Sequence, residues 1–159
     1  MIDNNYLNFS DLVREDHPYQ EQLLWSLENK GISLPWFEIS QRKLATKAQG
    51  IYKPGDQTYA LSAKTVLGSR YDDGEVFVHS TSDEWMVLYR PEESDRVWPN
   101  EALKICQIDL SPVIYFKQLS RSPSIYKLVG PCLPFYLAEK SFFLLMGFSK
   151  EGTLENNLF

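Results

Sequence analysis

The stretch Glu75-Val76-Phe77-Val78-His79-Ser80-Thr81-Ser82-Asp83-Glu84-Trp85-Met86-Val87-Leu88-Tyr89-Arg90 decides the fold class. Val76 and Val78 alternate with Phe77 and His79, which is the period of a strand with two different faces. Thr81-Ser82-Asp83 carries turn chemistry, and Trp85 to Tyr89 is a second apolar and aromatic run. The pair therefore predicts an antiparallel hairpin over 75–81 and 84–90.

Working outward, similar short runs occur at 58–66, 112–119, 124–130 and 141–147, each bounded by Gly, Pro, Asp or Ser. A helix is predicted from Pro18 to Asn29, with Asp16 or His17 as cap, Pro18 in its first turn and Gly31 beyond its end. Tyr19, Leu23, Leu24 and Leu27 share one face. Ser10 to Glu15 reads as a short preceding helix, stopped or kinked by the proline. Leu34-Pro35-Trp36-Phe37 leads into a polar connection through Gly50. Asn100 is placed to cap a further helix from Glu101 to Asp109, with Ala102, Leu103, Cys106 and Leu110 at helical spacing. Six strands with two or three helices predict an α+β domain: a curled, mainly antiparallel sheet or a small barrel.

The chain has 159 residues, 43% hydrophobic and 14% aromatic, which suits one domain with a substantial core. No apolar run approaches the roughly 18 residues of a membrane helix. The opening residues lack the basic-then-apolar pattern of a secretory signal, so a cytoplasmic location is expected. Cys106 and Cys132 are too few for a disulfide framework or a zinc cluster and read as reduced packing residues.

Net charge is −5, but its distribution is uneven. Residues 1–41 hold seven acids against Arg14 and Lys30, whereas residues 42–71 hold six bases against Asp56 alone. A phosphate-facing surface would be sought in the second segment, the alternative being a solvated set of loop lysines.

Familiar catalytic patterns are absent. There is no phosphate-binding loop and no dinucleotide glycine fingerprint. His17 and His79 are the only histidines, which excludes a His-rich metal centre, and no cofactor is expected. His17, before a proline at a helix start, reads as a cap, and His79 as a core or rim residue on its strand. Whether the chain is an enzyme stays open, since no catalytic motif is visible.

The segment before the hairpin, Arg70-Tyr71-Asp72-Asp73-Gly74, admits two readings. Asp-Asp-Gly between strands is a solvated turn in which Asp bonds nearby amides. Alternatively, tyrosine beside carboxylates is the inside of a base pocket, where a ring stacks on a heterocycle and a carboxylate accepts from an exocyclic amino group. Adjacent aspartates on a strand point to opposite faces, which argues against paired acid and base work by Asp72 and Asp73.

Several blocks in one order carry a resemblance: Gly50-Ile51-Tyr52-Lys53-Pro54, Ala60 to Val66, Tyr71-Asp72-Asp73-Gly74, Tyr89-Arg90, Asn100 to Leu103, and Pro112 to Phe116. Together they resemble the amino-terminal sensor domain that precedes HNH nuclease domains in bacterial modification-dependent restriction endonucleases. That domain is similar to the SET-and-RING-associated, or YDG, readers of modified cytosine. The resemblance spans about residues 42–147. It implies a PUA-like barrel that turns a 5-methyl- or 5-hydroxymethylcytosine out of duplex DNA into a pocket. On that implication Tyr71 and Tyr89 stack on the base and Asp73 or Asp72 accepts from its amino group. Trp85 joins them in the pocket, and Ala60, Leu61 and Ser62 supply strand backbone. Arg42, Lys43, Lys53, Lys64, Arg70 and Arg90 are candidates for the DNA backbone, chosen from charge and position. Ser69 and Arg70 stand where such readers carry two glycines, and Tyr89-Arg90-Pro91 replaces a Tyr-Thr-Gly signal. Both changes imply a reshaped pocket mouth.

The expected division is an acidic helical segment at 1–41, the sensor at 42–148 and a tail or linker at 149–159. The expected partner is modified duplex DNA, with cutting left to a fused or separate nuclease. The alternative is a protein-interaction or oligomerisation domain on the same barrel.

Overall fold

Val113, Ile114, Tyr115 and Phe116 are consecutive and all fully buried, which a strand achieves only when both of its faces are covered. The structure, a computed structural model, describes residues 6–47, 50–68, 76–91 and 97–155. The described chain begins with β1 (Tyr6–Asn8), α1 (Phe9–Leu12), α2 (Gln20–Glu28), β2 (Ser33–Pro35) and α3 (Trp36–Gln41). Short strands β3 (Ile51–Tyr52), β4 (Ser62–Thr65), β5 (Phe77–Val78) and β6 (Trp85–Tyr89) follow. After α4 (Val97–Asp109) come β7 (Val113–Arg121), β8 (Ser124–Leu137), β9 (Phe142–Gly147) and β10 (Thr153–Glu155).

Eight strands form one sheet in the order β3-β4-β7-β8-β9-β6-β5, with β2 paired to β8. β4 and β7 run parallel, and the other pairs in the sheet are antiparallel. The protein is thus α+β with a mostly antiparallel sheet and, among the described residues, four helices.

Alternation along β7 divides the interior in two. Ile114 and Phe116 pack with Phe9, Leu23 and Ile39 beneath the first three helices. Val113 and Tyr115 face the other way, onto Ala102, Leu103 and Cys106 of α4 and onto Val87, Tyr89, Phe143 and Leu145. That second core also receives Ile51 from β3, Ala63 from β4 and Cys132 from β8, so the sheet wraps around it. Tyr89 reaches back across the wrap: a Cβ on Gly50 would lie 2.7 Å from its hydroxyl. Among the described residues, β3 and β5 do not pair with each other, so the hydrogen-bonded sheet is open at that seam.

Two irregularities in the β7–β8 pairing shape one end of the sheet. Tyr115 pairs Gly130 but Phe116 pairs Leu128, which leaves Val129 as an extra residue on β8. Gln118 pairs Tyr126 but Ser120 pairs Ile125, which leaves Leu119 as an extra residue on β7. Such bulges turn side chains that a regular ladder would aim elsewhere. The first explains why Val129 and Cys132, three apart, both face the second core.

Several elements differ from their sequence reading for identifiable reasons. α3 replaces the expected polar connection, because Ile39 is fully buried and draws a six-residue helix onto the first core. α4 starts at Val97 rather than Glu101, so Asn100 lies inside it. β8 continues past residue 130 through Pro131, whose ladder partner is on β7 alone, and Pro134, whose partner is on β9 alone; a proline is tolerated where one side of the strand is unpaired. The segment expected as a tail contributes β10, paired with β1, and its Leu154 is fully buried in the first core. The amino-terminal segment likewise shares that core and adds β2 to the sheet. Both cysteines are free and buried, and burial pushes the Cys106 thiol up to about 12.

Gly147 sits opposite Trp85 in the β6–β9 ladder, and the indole lies where a Cβ would project. Gly147→Ala is therefore expected to destabilise the fold by about 1–3 kcal/mol through overpacking against the indole. Urea unfolding checks this, and an unchanged midpoint would show that the indole moves aside at no cost.

Candidate functional site

The second core does not fill the sheet to its end. Continuing outward along the face of Val113 and Tyr115, alternation brings Lys117, and along β8 it brings Lys127 opposite it. The bulged residues Val129 and Leu119 lie on the same side. With Val76 and Val78 from the β5 hairpin they enclose a cavity of about 470 Å³, within the size range of small-ligand sites.

Trp85 lies at the boundary between core and cavity. It is only 3% exposed, and it borders the cavity with its ring 5.8 Å from that of Tyr115. A Cβ on Gly130 would also approach its indole nitrogen at 3.5 Å, so the ring spans β9 and β8. Its Nε1 is buried and has no hydrogen-bond partner among the described residues. A buried donor left unpaired costs about 1–3 kcal/mol, and such groups mark places where a ligand or water belongs.

Among the described residues the rim is cationic: Lys30, Lys117, Lys127 and Lys150 contribute to it against the carboxylate of Asp83. Asp83 is already engaged, accepting from the Lys30 ammonium at 2.7 Å and from the Lys150 backbone N–H at 2.8 Å. Burial works against its ionised form, but these two donors outweigh it and hold the carboxyl below its usual range. Asp83 adopts φ 53°, a left-handed turn conformation that Asp tolerates. His79 closes the same turn from an exposed position, its Nδ1 accepting from the Ser82 amide at 3.3 Å.

Of the residues expected at a base pocket, Trp85 borders this cavity. Tyr89, Ala60, Leu61 and Ser62 are buried within the core and do not border this cavity. Tyr89 packs edge-on against Tyr115 at 6.2 Å. Ala60 receives the Cys106 thiol on its carbonyl, and Leu61 belongs to the first core. Arg70, Tyr71, Asp72 and Asp73 lie outside the described residues. Their segment ends one residue before Val76, which forms part of the cavity wall.

Of the six cations expected on DNA, four are engaged within the protein and Arg70 lies outside the described residues. Lys64 is 6% exposed and donates to the Thr46 carbonyl at 2.6 Å, because β4 runs between β3 and β7 and every residue on it is covered. Lys53 closes a turn by donating to the carbonyls of Gly55 and Gln57. Arg42 pairs with Glu38 and lies over Trp25, while the Arg90 guanidinium lies 4.4 Å from the centre of the Phe142 ring. Lys43 is exposed just past α3. The cationic rim instead draws on residues 30, 117, 127 and 150, from four separate segments. Its sequence signal was the Lys117–Lys127 spacing across the β7–β8 hairpin, readable only once the register is known.

A second constellation has the residue types of a nucleophile and base. His17 Nε2 lies 2.8 Å from the buried Ser111 hydroxyl. His17 Nδ1, however, accepts from the Tyr19 backbone N–H at 3.0 Å. In the neutral ring this places the proton on Nε2, which then donates to Ser111 and takes no proton from it. The pair is a helix-entry clasp, with the ring stacked on Tyr59 at 5.8 Å. Among the described residues no group of His, Cys, Asp or Glu could hold a metal ion, and no helix is long and apolar enough to cross a membrane.

Compared with known protein families, curated proteins and solved structures, the chain matches none.

Burial lowers the His17 pKa, although Asp16 opposes the shift. The folded state thus binds this proton less readily than the unfolded chain. The clasp's contribution is present above pH ~6.5 and is lost as pH falls through the lower folded value. Between pH 7.5 and 5.5 the urea midpoint of the wild type should fall, and that of His17→Asn should fall less. Equal falls would show that another group titrates.

Proposed function

We propose that this protein reads a modified cytosine in duplex DNA, taking the base out of the helix and enclosing it against Trp85. The observation that carries the reading is the cavity of about 470 Å³ with a tryptophan wall and a lysine rim, adjoining the Arg70–Gly74 segment through Val76. Each part has a physical use. The indole and the valines replace the stacking that a base loses on leaving the duplex, a cost of a few kcal/mol. The Nε1 of Trp85 is buried without a hydrogen-bond partner among the described residues, so a polar group reaching it on binding would satisfy it.

Tyr71 and one of Asp72 and Asp73 complete the pocket in this reading, the tyrosine stacking and the carboxylate accepting from the cytosine amino group. The ordered sequence blocks and the wrapped, mostly antiparallel sheet support a PUA-like sensor. Cutting of DNA belongs to another domain or protein, since no catalytic constellation accompanies the pocket among the described residues. A partner-docking domain with a relic pocket is the competing account, and DNA binding separates the two.

Gel shifts with otherwise identical duplexes carrying cytosine, 5-methylcytosine or 5-hydroxymethylcytosine provide the test. One modified duplex should bind more tightly than the unmodified one. Tyr71→Ala should then remove about 1–3 kcal/mol of that affinity, the usual scale for a lost stacking partner. Asp73→Ala should weaken the modified duplex if Asp73 is the acceptor, and Asp72→Ala if Asp72 is. Equal weak binding to all three duplexes by the wild type would sink the proposal.

A further inference from the structure

We infer that Lys117 and Lys127 form an anion clamp at the mouth of the Trp85 cavity, taking the phosphate attached to the base within it. The inference rests on the base-reading proposal and names the part of the site that holds the backbone.

Three observations carry it. Lys117 stands directly opposite Lys127 across the antiparallel β7–β8 pair, an arrangement in which like charges repel at close range. Among the described residues neither has a carboxylate within ion-pair distance: the pairs found are Lys30–Asp83, Arg42–Glu38 and Lys104–Glu101. Both line the cavity that Trp85 borders. Folding alone gives no reason to set two lysines at opposed positions beside a cavity with no ion-pair partner among the described residues. A shared anion does, since it converts their repulsion into two charge-assisted contacts.

The bulges fit the same purpose. Val129 follows Lys127 by two residues and Leu119 follows Lys117 by two, so each strand presents a lysine and then an apolar bulged residue to one cavity. An apolar wall beside a paired cation matches a planar heterocycle joined to a phosphate. Lys150 adds positive charge at the rim, although its field also acts on Asp83. The chemistry is that of a nucleotide, whether flipped from DNA or free in solution.

The test uses the whole chain and the double variant Lys117→Gln/Lys127→Gln. Affinity for duplexes with and without 5-methylcytosine is measured across a salt series, and tryptophan fluorescence follows 5-methyl-2′-deoxycytidine with and without its 5′-phosphate. The clamp predicts that the double variant weakens both duplexes by the same factor and lowers the salt slope by about one per lysine. It also predicts a thermal midpoint no lower than that of the wild type, since a repulsive pair is removed. Unchanged affinity and slope would overturn the clamp while leaving base reading intact. Loss of discrimination with an unchanged slope would overturn it as well, assigning the lysines to the base. If the wild type prefers neither the 5-methylcytosine nor the 5-hydroxymethylcytosine duplex over the unmodified one, base reading fails. In that case fluorescence decides the clamp alone: preference for the phosphorylated nucleoside, abolished in the double variant, supports it for a free nucleotide, and no preference ends it.

Discussion

The β7–β8 pair is the constraint on which the rest of the structure depends. A strand buried on both faces must serve two cores at once, and β7 does so through strict alternation: Ile114 and Phe116 to one side, Val113 and Tyr115 to the other. The first three helices cover one side and α4 the other. Because the second core draws from six strands, the sheet has to bend around it. The bend brings the hydroxyl of Tyr89 up to Gly50, and it leaves a concave end where the core side chains stop.

At that end the two bulges and two glycines act together. Gly147 and Gly130 give the Trp85 indole room to lie across neighbouring strands, while Val129 and Leu119 turn toward the opening. The result is an apolar wall under a cationic rim in a chain whose net charge is −5. Overall charge says little about such a site, because the relevant lysines are distant in sequence and converge only through the fold.

Much of the fold was legible in the sequence. Short apolar and aromatic runs located β6, β7 and β9, and the turn chemistry around Pro18 located α2, although the helix starts at Gln20 with Tyr19 as its cap and no side-chain cap bond; His17 instead accepts from the Tyr19 amide just ahead of it. What escaped was set by tertiary context. α3 and β10 are short and lack strong local signals; they exist because Ile39 and Leu154 complete a core built elsewhere. The prolines of β8 read as a stop, and the strand continues because each has a ladder partner on one side only, Pro131 on β7 and Pro134 on β9. The site was legible in part: the aromatic hairpin pointed to Trp85, whereas Lys53 and Lys64 looked available in sequence and are occupied by backbone carbonyls. Tyr71, Asp72 and Asp73 lie outside the described residues.

The central claim is that a modified base occupies the space beside Trp85. The indole N–H resonances report on it directly, since the chain has four tryptophans and each gives one signal. With the Trp85 signal assigned through Trp85→Phe, a duplex carrying 5-methylcytosine or 5-hydroxymethylcytosine is titrated against its unmodified counterpart. The account predicts a saturable shift of the Trp85 signal with a modified duplex and none with the unmodified one. A Trp85 signal that stays in place while the modified duplex binds would contradict it.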